Sequence, residues 1–568
     1  MGVKAFELAV FCGTALATAP ASAGVRFDFE PRAFVPAGHY VKDHTVAREG
    51  GLYHLIYTMG TDSLGRWQEP GNEVEFGHAT SPDLRHWTVE PPVLSGERAP
   101  WEARNRWAPQ LAPRPGGGFR LYYTGVNARI AQAIGLAEAP RLAASGSWAR
   151  SAANPVFLPD TTWARWRADA WSDARDPCVL ERDGTFWMVL TATTRDGRGA
   201  LGLARSRDGV RFEDLGPLLA GERGDPLESP QLVEIGGRWF LLFTSGREGG
   251  TWVIEGPGLR GPWDYAARRR WLESIAPEVW QDGDAWWIST HQSYPAAGGR
   301  RAYLVGFDRL RLGARGLEIV PESGLGPDWP FIEGDAFTGQ PTLGDNAAAR
   351  GEAGVGLTGA GYLGSAERFA WPTPPEAGEK RGDGATGRLR SRPFILGGRA
   401  LSLRIGGTAG MESTYVALRR ARGGEILYRE TGRGVETMDE RRWDVADLHG
   451  TEVVIEIADL DQRGHVNVDE IVELDGAGPS GRASRFLGGS PNPFHDAVEI
   501  HLGGAGAEPS AIAIQDVAGR HVRALAAPHG VAVWDGRNER GEPVAAGVYF
   551  AHLRSGAVED VLRLVRSP

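Results

Sequence analysis

Five times between residues 40 and 310 the chain repeats one pattern, and that repeat constrains the fold more than any other feature. Each copy opens on a polar or proline-containing turn and a short apolar strand. A Gly-containing turn and a strand dense in aromatic residues follow. The copies are KDHTVAREGGLYHLIYT from Lys42, WAPQLAPRPGGGFRLYYT from Trp107, RDPCVLERDGTFWMVLT from Arg175, ESPQLVEIGGRWFLLFT from Glu228 and APEVWQDGDAWWIST from Ala276. A strand, a polar turn and an aromatic residue follow several of them, as in FGHATSPDLRHW from Phe76 and LGLARSRDGVRFED from Leu201. A period of roughly 50–65 residues suits four short strands and their turns, one blade of a propeller. No sustained helical periodicity competes with it. The expected fold class is therefore all-β, a five-bladed β-propeller over residues 24–320.

A propeller brings the first strand of every blade to a common axis, so equivalent positions meet despite their separation in sequence. Aligned on turn glycines and aromatic residues, Asp43 and Asp176 occupy the same blade position and Glu228 falls one residue earlier. Three carboxyl groups at the mouths of three inner strands predict one acidic funnel. Glycosidic bond cleavage needs a carboxylic acid to protonate the leaving oxygen and a carboxylate across the sugar ring. Glu228, beside Leu227 and Ser229-Pro230 and crowded by two like charges, is expected to hold a proton and act as the acid. Asp43 then serves as nucleophile or base, and Asp176, beside Arg175, holds sugar hydroxyls and stabilises positive charge on the ring. Arg175 and His291 are candidate substrate contacts. So are Trp67, Trp107 and Trp171, expected in loops at the channel rim, because sugar faces stack on indole rings. The pattern calls for no cofactor and no metal.

These motifs carry a resemblance. From about Phe34 to Leu312 the chain is similar to the catalytic propeller shared by glycoside hydrolase families 32, 43 and 68. Arg175-Asp176-Pro177, Glu228-Ser229-Pro230, Gly77-His78-Ala79 with Ser81, Asp83-Leu84 and Trp87, and Tyr123-Thr124-Gly125 with Gln132 resemble family 32, the invertase, levanase and inulinase group. That family carries Asn-Asp-Pro-Asn-Gly around its nucleophile, whereas this chain has Lys42-Asp43-His44-Thr45-Val46. Trp107-Ala108-Pro109 and Ala276-Pro277-Glu278 look more like family 43. The resemblance implies a hydrolase of fructosides such as levan, inulin or sucrose. The alternatives it leaves are a family 43-type arabinan or xylan hydrolase and a propeller that binds glycans without cleaving them.

The remaining segments speak of export and of partner modules. Met1 to Ala23 reads as a secretory signal peptide, with Lys4, an apolar stretch from Leu8 to Ala19 and Ala21-Ser22-Ala23 as the cleavage pattern. Of the two cysteines, Cys12 would leave with that signal, and Cys178 alone permits no internal disulfide. Residues 321–381, rich in Gly, Pro and Asp, are expected to be a linker or wrapping segment. Alternating strands over 382–476 suggest a β-sandwich module. After a linker at 477–489, residues 490–568 resemble the Ig-like β-sandwich domain of flagellar hook-capping proteins and of type IX secretion sorting domains. This implies a secreted or cell-surface protein whose partners are an oligo- or polysaccharide substrate and the secretion machinery. Net charge is −10 with no basic block, which argues against nucleic acid. No stretch reads as a transmembrane segment.

Overall fold

A computed structural model describes residues 24–36, 38–61, 69–142, 148–295, 301–320, 324–368, 378–474, 485–490, 493–503, 510–527, 531–555 and 558–567. The signal peptide expected at 1–23 and Trp67 lie outside these residues.

Each repeat forms an antiparallel sheet whose strands follow chain order. Sheet 1 comprises Tyr40–Glu49, Leu52–Gly60, Phe76–Ser81 and Thr88–Val93. Sheet 2 comprises Asn105–Pro113, Phe119–Val126, Gln132–Ala139 and Ala149–Arg150. Sheet 3 runs through Ala174–Arg182, Thr185–Thr193, Arg198–Ser206 and Glu213–Arg223. Sheet 4 runs through Leu227–Ile235, Arg238–Ser245, Thr251–Gly256 and Arg269–Leu272. Sheet 5 takes Ile275–Asp282, Ala285–Pro295 and Arg301–Gly313 from its own repeat, and Ala33–Phe34 from the start of the chain as a further strand. That early strand fastens the ring before sheet 1 begins.

Local chemistry explains the hairpins. Gly50-Gly51, Asp183-Gly184 and Gly236-Gly237 occupy two-residue turns with positive φ at both positions. Such turns match the right-handed twist of the flanking strands, and glycine or aspartate tolerates them best. Apolar side chains on both faces of each sheet then pack between neighbours. Tyr57 and Leu55 of sheet 1 meet Val305 and Phe307 of sheet 5. Ile56 and Phe76 of the same sheet meet Leu121 and Tyr123 of sheet 2. Equivalent cores join sheets 2 and 3, 3 and 4, and 4 and 5, so the ring closes as in a β-propeller.

The first strand of every sheet faces the axis, and each carries a break in register ahead of its hairpin turn. The breaks fall between Val41 and His44, Trp107 and Gln110, Arg175 and Cys178, Glu228 and Gln231, and Ile275 and Glu278. In sheets 2 to 5 the first bulged residue (Ala108, Asp176, Ser229 or Ala276) has positive φ and a proline follows it. A bulge leaves two residues opposite one, frees proline from the ladder and turns a side chain toward the channel. Register corrects the sequence alignment here. Asp176 is the first residue of its bulge and Asp43 the second, so the two are offset by one place rather than equivalent.

Two six-stranded sheets follow, packed face to face around Leu403, Ile405, Val466 and Val468 of one and Val416, Leu418, Ile455 and Ile457 of the other. Phe331–Gly334, Thr342–Leu343 and Gly361–Gly364 are strands of this sandwich, pairing with Gly387–Arg390, with each other and with Val466–Leu474. Much of the expected linker at 321–381 is therefore part of the module. Arg26–Phe27, assigned by sequence to the propeller, pairs with Val472 and Ile471 of the sandwich. The N-terminal segment thus belongs to both units. Arg85 of sheet 1 binds the carbonyls of Glu30 and Gly324 across the same seam. The strand Arg485–Ser490 begins inside the linker expected at 477–489, and from it onward a three-stranded and a four-stranded sheet enclose a separate core around Trp534, Ile512 and Leu564. Among the described residues no helix is long and apolar enough to cross a membrane.

Candidate active site

The bulges and the residues beside them deliver side chains to one cavity of about 160 Å³ at the mouth of the channel, lined by Asp43, Asp176 and Glu228 among others. Arg175, Trp107, Trp171 and His291 also line it, as do Lys42 and Ser229, which sequence reasoning did not single out. The funnel expected from the repeats is present, built from sheets 1, 3 and 4.

Arg175 organises it. The buried guanidinium donates to Glu228 Oε1 at 2.7 Å, approaches Asp176 Oδ2 at 3.4 Å and binds Asp173. Burial alone would lower its pKa, but the fields of Asp173, Glu228 and Asp176 outweigh burial and hold it well above the usual arginine range. Asp176 shows the opposite balance. Burial pushes its carboxyl up to about 7 against the pull of Arg175, with further upward pressure from Asp43 and Glu228. Its Oδ2 accepts hydrogen bonds from Thr191 Oγ1 at 3.1 Å and from the backbone N–H of Ser229 at 3.0 Å. Ser229 also donates its hydroxyl to Asp43 Oδ1 at 2.9 Å, tying the carboxyl groups of sheets 1 and 3 together.

The structure corrects the expected surroundings of Glu228. Its side chain is 36% exposed and ion-paired with Arg175, not buried among like charges. The crowded, buried carboxyl is Asp176. The strand explains the exchange, because Glu228 is the last paired residue before its bulge, opposite Thr244, and stands at the mouth. Asp176 lies one place deeper.

The aromatic candidates divide. Trp107 sits on the innermost strand of sheet 2 rather than in a rim loop and is 4% exposed. Trp171 is 48% exposed at the rim and its Nε1–H binds Asp173 Oδ1 at 2.9 Å. His291 is buried, stacked on Tyr303 with ring centroids 5.7 Å apart, and burial depresses it to about 3. It is therefore a neutral wall of the cavity near pH 7. Deeper on the axis, Glu278 accepts hydrogen bonds from Thr45 and Gln231, and burial raises it to about 8. Among the described residues no cluster of histidine, cysteine, aspartate and glutamate is arranged to hold a metal ion.

Asp176 yields a stability prediction. Its folded pKa of about 7 exceeds the ordinary 3.8, so its favourable contribution is complete below about 3.8 and is lost as pH rises through about 7. Asp176→Asn removes that titration. At pH 8 the variant should be more stable than the wild type, by an amount on the order of a few kcal/mol at most. At pH 4 the gain should vanish. Thermal melts at the two pH values check this, and a variant less stable at pH 8 would contradict the buried-carboxyl account.

Residues 36–255 match the model of the glycosyl hydrolases family 32 N-terminal domain. The chain is 30% identical over 213 residues to "Beta-fructofuranosidase, insoluble isoenzyme 7" of Oryza sativa subsp. indica, covering 36% of this chain and 34% of that protein. It is 29% identical over 191 residues to a fructan 6-exohydrolase of Beta vulgaris, covering 33% and 30%. The chain thus spans about a third of the length of these curated relatives. Among solved structures, fructan 1-exohydrolase IIa from Cichorium intybus aligns over 95% of this chain and 91% of its own, with 14% identity and a TM-score of 0.44. The family model and the curated relatives support a glycoside hydrolase.

Proposed function

We propose that this protein is a secreted glycoside hydrolase that cleaves fructosides of the levan, inulin or sucrose type in a five-bladed propeller. The observation that carries the reading is the meeting of Asp43, Asp176 and Glu228, from three different sheets, in one cavity with an arginine between two of them. Asp43 is the nucleophile or base, Glu228 the general acid, and Asp176 the group that binds sugar hydroxyls and stabilises charge on the ring.

The shared guanidinium gives these roles a physical link. In the structure Glu228 accepts a hydrogen bond from Arg175 on Oε1, so the guanidinium that holds it is shared with Asp176. Sugar hydroxyls donating to Asp176 favour its anion, which draws Arg175 toward Asp176 and releases Glu228. Binding thereby arms the acid. The carboxylates of Asp176 and Glu228 share one guanidinium, so a sugar seated on Asp176 shifts the balance between them.

Residues 490–568 are read as an Ig-like sorting domain and residues 1–23 as a signal peptide, which together give an extracellular or cell-surface address. The sandwich between them buttresses the propeller through the strand Arg26–Phe27. The test is a sugar-release assay on sucrose, levan, inulin, arabinan and xylan, with wild type and Glu228→Gln side by side. Release of fructose by the wild type alone is the expected result. Release of arabinose or xylose only would remove the fructosidase reading, and binding without turnover on every substrate would remove the hydrolase.

A further inference from the structure

Behind the cavity lie two buried carboxylates that the reaction does not use, and each holds one tryptophan and one cation of the cavity wall. Asp173 binds Trp171 Nε1–H and Arg175. On the other side, Glu73 Oε2 accepts from Trp107 Nε1 at 2.6 Å, and its Oε1 accepts from Lys42 Nζ at 3.1 Å and from Tyr40 Oη at 2.9 Å. The Glu73 side chain has no solvent exposure, and Lys42 Nζ stands 5.6 Å from the centre of the Trp107 ring. Glu73 itself sits in the segment between the second and third strands of sheet 1, at φ 52°, a left-handed backbone rarely adopted by glutamate. Asn72 fixes that segment by binding Thr61 N–H, Thr61 carbonyl and Tyr40.

We propose that Lys42, held by Glu73 against Trp107, determines which sugar the site accepts, and that Glu73 is its positioning residue. The inference rests on the hydrolase reading above. Lys42 directly precedes Asp43, the group placed nearest the reacting carbon, so it reads the substituents of the ring under attack. An ammonium only donates hydrogen bonds and accepts none. This wall therefore recognises sugar oxygens through their lone pairs alone. The matching ligand is a neutral sugar that offers a ring, ether or hydroxyl oxygen to Lys42 and an apolar C–H face to Trp107. An anionic sugar does not fit, since Glu73 already neutralises Lys42 and the carboxylates of the cavity repel it.

Kinetics on sucrose and levan with Lys42→Met, Glu73→Gln and the double variant test the assignment. Lys42→Met should raise KM about tenfold while kcat changes little, the signature of lost recognition rather than lost chemistry. Glu73→Gln keeps an acceptor for Trp107 but removes the carboxylate that Lys42 Nζ binds. It should raise KM in the same way and lower the melting temperature. The double variant should recover the melting temperature, because the ammonium is removed together with the buried carboxylate that balances it, yet keep the high KM of Lys42→Met. Recovery of KM together with stability would show that Glu73 is merely structural, and an unchanged KM in Lys42→Met would overturn the proposal. Dissociation constants for sucrose from tryptophan fluorescence, measured in a Glu228→Gln background, separate the two readings. A wild type that binds without cleaving sinks the hydrolase and leaves the ratio of constants to judge Lys42. One that neither binds nor cleaves sinks both.

Discussion

Glu228→Gln lowers kcat/KM on sucrose by about 10³-fold or more, the scale expected when a positioned general acid is lost. The substitution preserves shape and the hydrogen bond from Arg175, so folding is expected to survive it. Its loss should depend on the leaving group. An alcohol leaves as an alkoxide unless it is protonated, whereas a nitrophenolate leaves well without a proton. A nitrophenyl fructoside should therefore suffer far less than sucrose. Asp43→Asn behaves differently, because the carboxylate that attacks the ring or activates water is needed whatever departs, and it should lose both substrates alike. Equal losses on both substrates for Glu228→Gln would remove the acid role from that residue.

The ring of sheets was legible because its signals are local. Two-residue glycine turns, aromatic second strands and the x-Pro step within the bulges of sheets 2 to 5 all recur in the linear sequence. The meeting of Asp43, Asp176 and Glu228 follows from the repeat alone, since a propeller converts period into proximity. The offset between Asp43 and Asp176 was not legible. Both inner strands are bulged, but His44 to Glu49 separate the bulge from the turn in sheet 1 and the shorter run Cys178 to Arg182 does so in sheet 3, a difference that turn glycines and aromatic residues do not mark. The exchange of surroundings between Glu228 and Asp176 has the same origin, because one step along a bulged strand separates the exposed mouth from the buried floor.

Glu73 escaped notice because it lies between strands, where no other repeat has a counterpart. Asp173 carried a usable signal, standing two residues before Arg175 in Asp-Ala-Arg-Asp, the spacing that puts both side chains on one side of an extended strand. The sandwich strands at Phe331–Gly334, Thr342–Leu343 and Gly361–Gly364 are two to four residues long. A strand that short cannot show alternation, and its partners lie far away in sequence. Only the pairing reveals it.

Arg175→Gln is expected to cost about 3–5 kcal/mol, the range found when one partner of a buried ion pair is removed. The guanidinium is 8% exposed and serves Asp173, Asp176 and Glu228 at once. Glutamine fills part of the space but brings no charge, so Asp173 and Asp176 remain buried beside each other without compensation. The sign of the pH dependence follows. In the wild type Asp173 lies below its ordinary value, since Arg175 and hydrogen bonds from Thr193 and Trp171 overcome burial, so its contribution is present above about 3.8 and fades on acidification. In the variant, burial without a counter-charge favours protonated carboxyls, so stability is retained in acid and lost as pH rises. The gap between the two proteins should widen from pH 4.5 to pH 7.5 in urea melts. Arg175→Lys returns the charge but not the planar fork that reaches three carboxylates, and should recover only part of the loss. Adding Asp173→Asn to Arg175→Gln removes one orphaned charge and should recover stability at pH 7.5 while activity stays lost. A gap independent of pH would mean that Arg175 holds the site by packing, and the electrostatic coupling between Asp176 and Glu228 would fall with it.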